Sequence, residues 1–270
     1  MKLILSALVL VFLFSGCASN KAVQGQAHSI TALDAENFRI IENRQAVGAS
    51  IASQDRIAWV ASDSLVATID PSALDKLEGY VAQGDMQEGF AVFYGYQDDR
   101  YIQLARIDFR DGKLTKDYAE KNIEDDRLLK LVKASHSANR RFSLFTDKLN
   151  IIYNSYIIES DSGYTVYFIP GSTDEYLVFG GCFRFKSKNS EEWEIEKLHQ
   201  GPVAIKFEKL KQNKFLMRNS AMDKLPSETD YAQFHITKEW APVQYIQTDS
   251  YLFLLKYDRT TGFTNTMMVK

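Results

Sequence analysis

Two residue types in this chain could carry covalent chemistry. The 270 residues include two cysteines, Cys17 and Cys182, and four histidines, His28, His136, His199 and His235. A thiol becomes a nucleophile when an adjacent imidazole accepts its proton or a helix N-terminus lowers its pKa. His199 and His235 are therefore the candidate catalytic partners of Cys182, and either would have to reach it by tertiary contact. The flanking stretch FGGCFRF reads as mid-strand among aromatics, a setting that supplies neither form of activation. Unpaired cysteine is among the most buried residue types, so a packed and inert thiol is the simpler expectation.

Other catalytic patterns are missing. No two histidines stand at a metal-ligand spacing, and there is neither a paired-histidine zinc helix nor an alternating-aspartate calcium loop. No metal and no cofactor are expected. Pro170-Gly171-Ser172 lacks the lysine and following helix of a phosphate cradle, and no Gly-x-Ser-x-Gly elbow occurs. Glu124-Asp125-Asp126 suits the start of a helix, where acids complement the dipole, better than a cation site.

Two further groups could bind rather than react. Lys206, Lys209, Lys211 and Lys214 lie among Phe207, Leu210 and Phe215. They read either as a basic-aromatic patch for anionic headgroups or glycan, or as a strand edge guarded by lysines; the weak overall charge favours the edge. With 17 Phe, 14 Tyr and 3 Trp, aromatics are abundant, and Trp193, Trp240, Tyr231 and Phe234 could form platforms for sugars or peptides. Sheets use the same residues for cross-strand packing, which is the simpler reading.

These residues need elements to position them. TIDPSALDKLEGYVAQG predicts a helix with Asp70 as N-cap, Pro71 in the first turn and Gly84 past the end, placing Leu74, Leu77 and Val81 on one face. NIEDDRLLKLVKAS predicts a second helix, with Leu128, Leu131 and Val132 inward. Most of the remainder reads as strands: GFAVFYGY, YIQLARIDF, NIIYNSYIIES, YTVYFIP, EYLVFGGCFRFK, EWEIEKLH, VAIKFEKL, PVQYIQT and YLFLLKYD. Turns are expected at Asp111-Gly112 and Asp161-Ser162-Gly163, and Gly180-Gly181 suggests a bulge or close backbone approach inside a strand. Closely spaced strands with short turns imply a β-rich α+β fold of antiparallel sheets, sandwich-like or barrel-like, with about two short helices.

The front end has its own pattern. One positive charge at Lys2 is followed by the uncharged run Leu3 to Phe14 and the small pair Ser15-Gly16, the order of an export signal. Phe14-Ser15-Gly16-Cys17 resembles the lipobox of bacterial lipoproteins, a likeness confined to the first twenty or so residues. It implies a signal peptide over 1–16, acylation of Cys17 and cleavage just before it. Ala18 stands where an aspartate would signal inner-membrane retention, so in a two-membraned host the resemblance implies the outer membrane. Residues 19–29, SNKAVQGQAHS, are polar and read with Cys17 as a flexible tether over 17–29. A globular body is expected over 30–270, with a candidate subdivision near 138–142.

Loss of Lys2 on cleavage leaves 31 basic and 35 acidic residues, a net charge of −4. Such a balance argues against nucleic acid as partner, since phosphate backbones need a concentrated basic face. With Cys17 acylated, Cys182 would have no disulfide partner in this chain. The first expectation is a lipid-anchored cell-envelope module, non-enzymatic, that is held to the membrane by its anchor and binds an envelope protein or glycan. The alternatives are a membrane-tethered envelope hydrolase using Cys182 or a carboxylate pair visible only in the fold, and an assembly subunit.

Overall fold

The structure is a computed structural model that describes residues 34–146, 151–173, 175–212, 215–219, 223–258, 260 and 264–269. The signal peptide, the lipobox with Cys17, the tether and His28 lie outside the described residues, as do Lys214 and the side chains of Leu210, Lys211 and Phe215.

Helix α1 (Ala35–Val66) opens at Asp34, whose Oδ1 accepts the Asn37 amide at 2.8 Å. Its buried positions, Ile41, Gly48, Ile51, Gln54, Ile57, Ala58, Ala61 and Leu65, recur mostly every three or four residues and so form one stripe. After the short α2 (Pro71–Leu74) come β1 (Gly79–Gly84), β2 (Glu88–Gln97), β3 (Arg100–Arg110), β4 (Lys113–Asp117) and β5 (Lys121–Asn122). They form one sheet in the order β1-β2-β3-β4, with β5 also on β3. Period-2 alternation gives this sheet two apolar faces. Ala82, Ala91, Phe93, Ala105, Ile107 and Phe109 pack against the C-terminal half of α1. Val81, Val92 and Tyr94 face the other way, onto α3 (Asp126–Thr146).

Helix α3 is the centre of the largest apolar layer. Asp125 Oδ1 accepts the Leu128 amide at 2.7 Å and so caps its first turn. Leu128, Leu131, Val132, Ala134, Ala138 and Phe142 are buried between the first sheet and a second one. The chain continues through β6 (Tyr153–Ser160), β7 (Gly163–Pro170), β8 (Tyr176–Gly180), β9 (Phe183–Ser187), β10 (Glu194–Lys197) and β11 (Pro202–Lys206). The second sheet runs β10-β9-β7-β6, while β8 pairs with β11. Phe168 of β7 stacks on Phe142 with ring centroids 3.9 Å apart.

The remaining elements are α4 (Phe207–Gln212), β12 (Phe215–Asn219), α5 (Glu228–Thr237), β13 (Val243–Gln247), β14 (Leu252–Tyr257) and β15 (Thr264–Val269). β12-β13-β14-β15 form a sheet in which β12 and β13 are parallel; the other described pairings are antiparallel. Tyr231 and Phe234 of α5 pack on Ile246, Phe253 and Leu255 of this sheet. α5 also crosses α1 at Gly48, where an added Cβ would lie 2.5 Å from Tyr231 Cβ and 2.7 Å from the Glu228 carbonyl oxygen. Farther along α1, Gln54 donates to the Ile157 carbonyl at 3.1 Å and Asp55 accepts the Tyr156 hydroxyl, tying the helix to β6.

The fold is β-rich, 40% strand against 33% helix, with antiparallel sheets. Several details differ from the sequence reading. Among the described residues no sheet closes into a barrel, and there are five helices rather than about two. The expected helix after Asp70 stops at Leu74, because residues 79–84 pair with β2 instead. Val81 and Ala82 then face opposite sides of a strand rather than sharing a helical face. Gly84 still punctuates, at φ 81°, but it ends a strand. EYLVFGGCFRFK is two strands, broken at Gly180-Gly181, so Cys182 sits in the break and not mid-strand. Residues 138–142, the candidate subdivision, lie inside α3. No helix among the described residues is long and apolar enough to cross a membrane.

Candidate functional site

The break between β8 and β9 determines where Cys182 goes. Gly180 and Gly181 adopt φ of 70° and 65°, a left-handed turn that suits glycine, and a Cβ on Gly181 would lie 2.9 Å from Pro202. The turn directs Cys182 into the space between the second sheet, α1 and α5, among Ile51, Tyr156, Tyr167, Ile169, Leu198 and Ala232. The chain returning from β10 pairs with it there, as the Leu198 amide donates to the Cys182 carbonyl at 2.9 Å. That bond brings His199 beside Cys182.

The structure thus joins two of the sequence-derived candidates. The Cys182 amide donates to His199 Nδ1 at 3.4 Å, and His199 Nε2 faces Asp230 Oδ1 at 3.2 Å. Asp230 is held by the first turn of α5, where it and Ser227 form a reciprocal capping box. Arg218 of β12 contacts the Asp230 carboxylate at 3.4 Å, donates to the Asp230 backbone carbonyl at 2.9 Å and to Gln233 Oε1 at 3.1 Å. Gln233 Oε1 in turn accepts the Gly180 amide at 3.2 Å. Cysteine, histidine and aspartate in this order are the groups of a thiol nucleophile, its base and the group that orients the base.

Two features set this cluster apart from a working centre. Cys182 is 0% exposed and His199 and Asp230 are each 1% exposed, so no substrate carbonyl has a path to the sulfur. The thiol also donates to the Gly180 carbonyl, 3.5 Å away, while the Cys182 amide occupies the Nδ1 side of the imidazole. Burial works against an imidazolium at His199, but the Asp230 carboxylate and the Cys182 sulfur outweigh it and hold the histidine above its ordinary range. A proton on Nδ1 would displace the long Cys182 amide contact, so that amide and the carboxylate favour opposite charge states.

The other candidates go elsewhere. His235, late in α5, has Phe234 and Lys238 as neighbours, and no hydrogen bond among the described residues links it to Cys182. Burial, with Lys238 adding to it, pulls its pKa down to about 4. Tyr231 and Phe234 are core residues at 0% exposure. Trp240 is 43% exposed and rests edge-on against Phe207. Lys206 lies over the Tyr176 ring at the end of β11, and Lys209 falls in α4.

A second arrangement is open to solvent. A groove of about 790 Å³ runs along α3 and is lined by Tyr101 of β3, by His136, Ser137, Arg140 and Arg141 of α3, and by Glu191, Glu192 and Trp193 of the loop before β10. Tyr96, Tyr101 and His136 form a ring cluster, with centroids 4.8 Å apart for the two tyrosines and 5.4 Å for each tyrosine to the histidine. Burial lowers the His136 pKa, with Glu78 opposing and Arg140 assisting, so the imidazole is neutral at pH 7. Trp193 is fixed against α3 by its indole N–H, which donates to Ser137 Oγ at 3.0 Å. The loop leading to it is shaped by Asn189, whose side chain accepts the Glu191 amide at 3.1 Å. Arg140, Arg141, Glu191 and Glu192 are exposed, and among the described residues none of them has an ion-pair partner.

Sequence reasoning singled out Trp193 and missed Tyr96, Tyr101, both arginines and both glutamates. The available signal was His136 followed one turn later by Arg140-Arg141, three polar side chains on a helix whose opposite face is apolar. Among the described residues no group of three or more His, Cys, Asp or Glu side chains is placed to hold a metal ion. Comparison with protein-family models, curated proteins and solved structures finds no match to this chain.

Proposed function

We propose that this chain is a lipid-anchored envelope module that holds an envelope glycan or protein in the α3 groove by binding alone. The observation that carries the reading is the groove itself, where solvent-reachable rings stand beside four charged side chains that form no ion pair among the described residues, Arg141 resting over the Phe145 ring. Aromatic faces take up sugar or peptide surface, and guanidinium and carboxylate groups fix its orientation. The lipobox-like Phe14-Ser15-Gly16-Cys17 supports the anchor, since two or more acyl chains hold a protein on a bilayer where one does not. Sedimentation of the protein with purified cell-wall sacculi or outer-membrane vesicles tests the reading. The double variant Arg140→Ala/Arg141→Ala should bind at least about threefold more weakly, the scale of two exposed charge contacts, with an unchanged melting temperature. Equal retention of variant and parent rejects the groove.

A second reading, a membrane-tethered hydrolase, is favoured by the contact of Cys182 with His199 and of His199 with Asp230. In that reading α5 would have to move to admit a substrate. Rapid alkylation of Cys182 in the native protein, abolished by His199→Ala, would favour it over binding alone.

A further inference from the structure

We infer that the α3 groove selects an amphoteric ligand, an N-acetylated sugar bearing a short peptide with a free carboxylate and a free amine. Arg140 and Arg141 would take the carboxylate, and Glu191 and Glu192 the amine. The inference rests on the groove being the binding site, and it adds the chemistry of the occupant.

Charge balance is the first argument. Two cations on α3 and two anions on the loop before β10 line one groove, yet none of these four side chains approaches an opposite charge within 4 Å among the described residues. A site for phosphate or a polyanion would not carry two carboxylates on its wall, because like charge there opposes binding. A site for a neutral polysaccharide has no use for either pair. A ligand with both signs pairs with both sets of side chains and leaves neither charge uncompensated. His136 adds no charge to this balance at neutral pH.

The sugar follows from the remaining groups. Tyr101 and Trp193 both supply flat apolar surface to the lining, and ring faces of this kind take up pyranose faces. Ser137 Oγ accepts the Trp193 indole N–H, so its own hydroxyl proton is left to donate. The oxygen of an acetamido group fits that donor, and its methyl fits the adjoining rings.

Calorimetric titration of the purified full-length protein in detergent, at low salt, tests this with defined probes. They are an N-acetylmuramoyl tripeptide ending in a free-amine diamino acid, the same compound with that amine acetylated, a tetramer of N-acetylglucosamine, and inorganic phosphate. The free-amine compound should bind about threefold or more tightly than its acetylated twin, and the difference should vanish in Glu191→Gln/Glu192→Gln. The neutral tetramer should bind more weakly than either, and millimolar phosphate should not displace the peptide. Equal affinity for the twins, with binding still lost in Arg140→Ala/Arg141→Ala, overturns the amphoteric preference and leaves the groove standing. Displacement by phosphate overturns it in favour of an anion site. Failure of every probe, together with undiminished sedimentation of the arginine variant, removes the groove reading as well.

Discussion

Gly48→Ala places one methyl group where α1 crosses α5. Its carbon would lie 2.5 Å from Tyr231 Cβ, 2.7 Å from the Glu228 carbonyl oxygen and 2.9 Å from the Ala232 nitrogen. Two of these atoms are backbone and the third is bonded to it, so no side-chain rotation relieves the clash and the helices must separate. Overpacking of this kind costs about 1–3 kcal/mol, and the gain in helix propensity from glycine to alanine returns about 1 kcal/mol. The balance is a loss of up to about 2 kcal/mol, which for a body of this size lowers the melting temperature by up to about 8 °C. Calorimetry or circular dichroism of both proteins at pH 7 measures it. The same displacement pushes Asp230 away from His199, so the Cys182 thiol should react faster with a disulfide reagent in the variant than in the parent. A variant that melts at or above the parent temperature with its thiol still masked would refute the close crossing and the role of α5 in sealing the cluster.

Other outcomes follow from the same contacts. In the native protein at pH 7, Cys182 should resist alkylation and react once guanidinium unfolds the chain, because its side chain is fully enclosed; prompt labelling without unfolding would contradict that enclosure. His235 sits near pH 4 in the fold against about 6.5 in an unfolded chain, so the unfolded state takes up the proton first. Stability is therefore full above pH 6.5 and falls toward pH 4 by up to about 3 kcal/mol, and His235→Gln should flatten that slope in denaturant midpoints measured from pH 7 to 4.5. Cys17→Ser should move the protein from the membrane to the soluble fraction, and unchanged fractionation would count against acylation.

What could be read from the sequence was set by how far each signal depends on neighbours in space. The hairpin at Asp111-Gly112 and the turn at Asp161-Ser162-Gly163 are local; the second joins two expected strands, while the first joins an expected strand to β4, which the sequence reading did not name. α3 was legible because large apolar residues repeat on one face while charge covers the other. α1 was not, although it is the longest helix described, because half of its buried stripe is Gly48, Gln54, Ala58 and Ala61. Those residues are small or polar because α5 and two sheets approach closely, which is a tertiary fact. α5 hid for the opposite reason: it is buried on nearly every side, Glu228, Thr229 and Asp230 included, and so shows no apolar periodicity. The short α2 carried helix punctuation that pairing of β1 with β2 overrode.

The two sites differ in the same way. Cys182 could be named from its type alone, but its association with His199 depends on two consecutive left-handed glycines and on a backbone bond from Leu198. Asp230, which completes the chain, reads locally as a helix cap and nothing more. Burying an arginine, an aspartate and a histidine together is costly unless each is paired, and the bonds from Arg218 to Asp230 and Gln233 meet most of that need. Apart from Arg218 Nε, which finds no hydrogen-bond partner among the described residues, the cluster has its donors and acceptors turned toward one another. The groove on α3 is the converse, since its arginines and glutamates are exposed and form no ion pair among the described residues. Unspent charge beside fixed rings is what a ligand can use, and for that reason the function proposed for this chain rests on Arg140, Arg141, Glu191 and Glu192 rather than on its thiol.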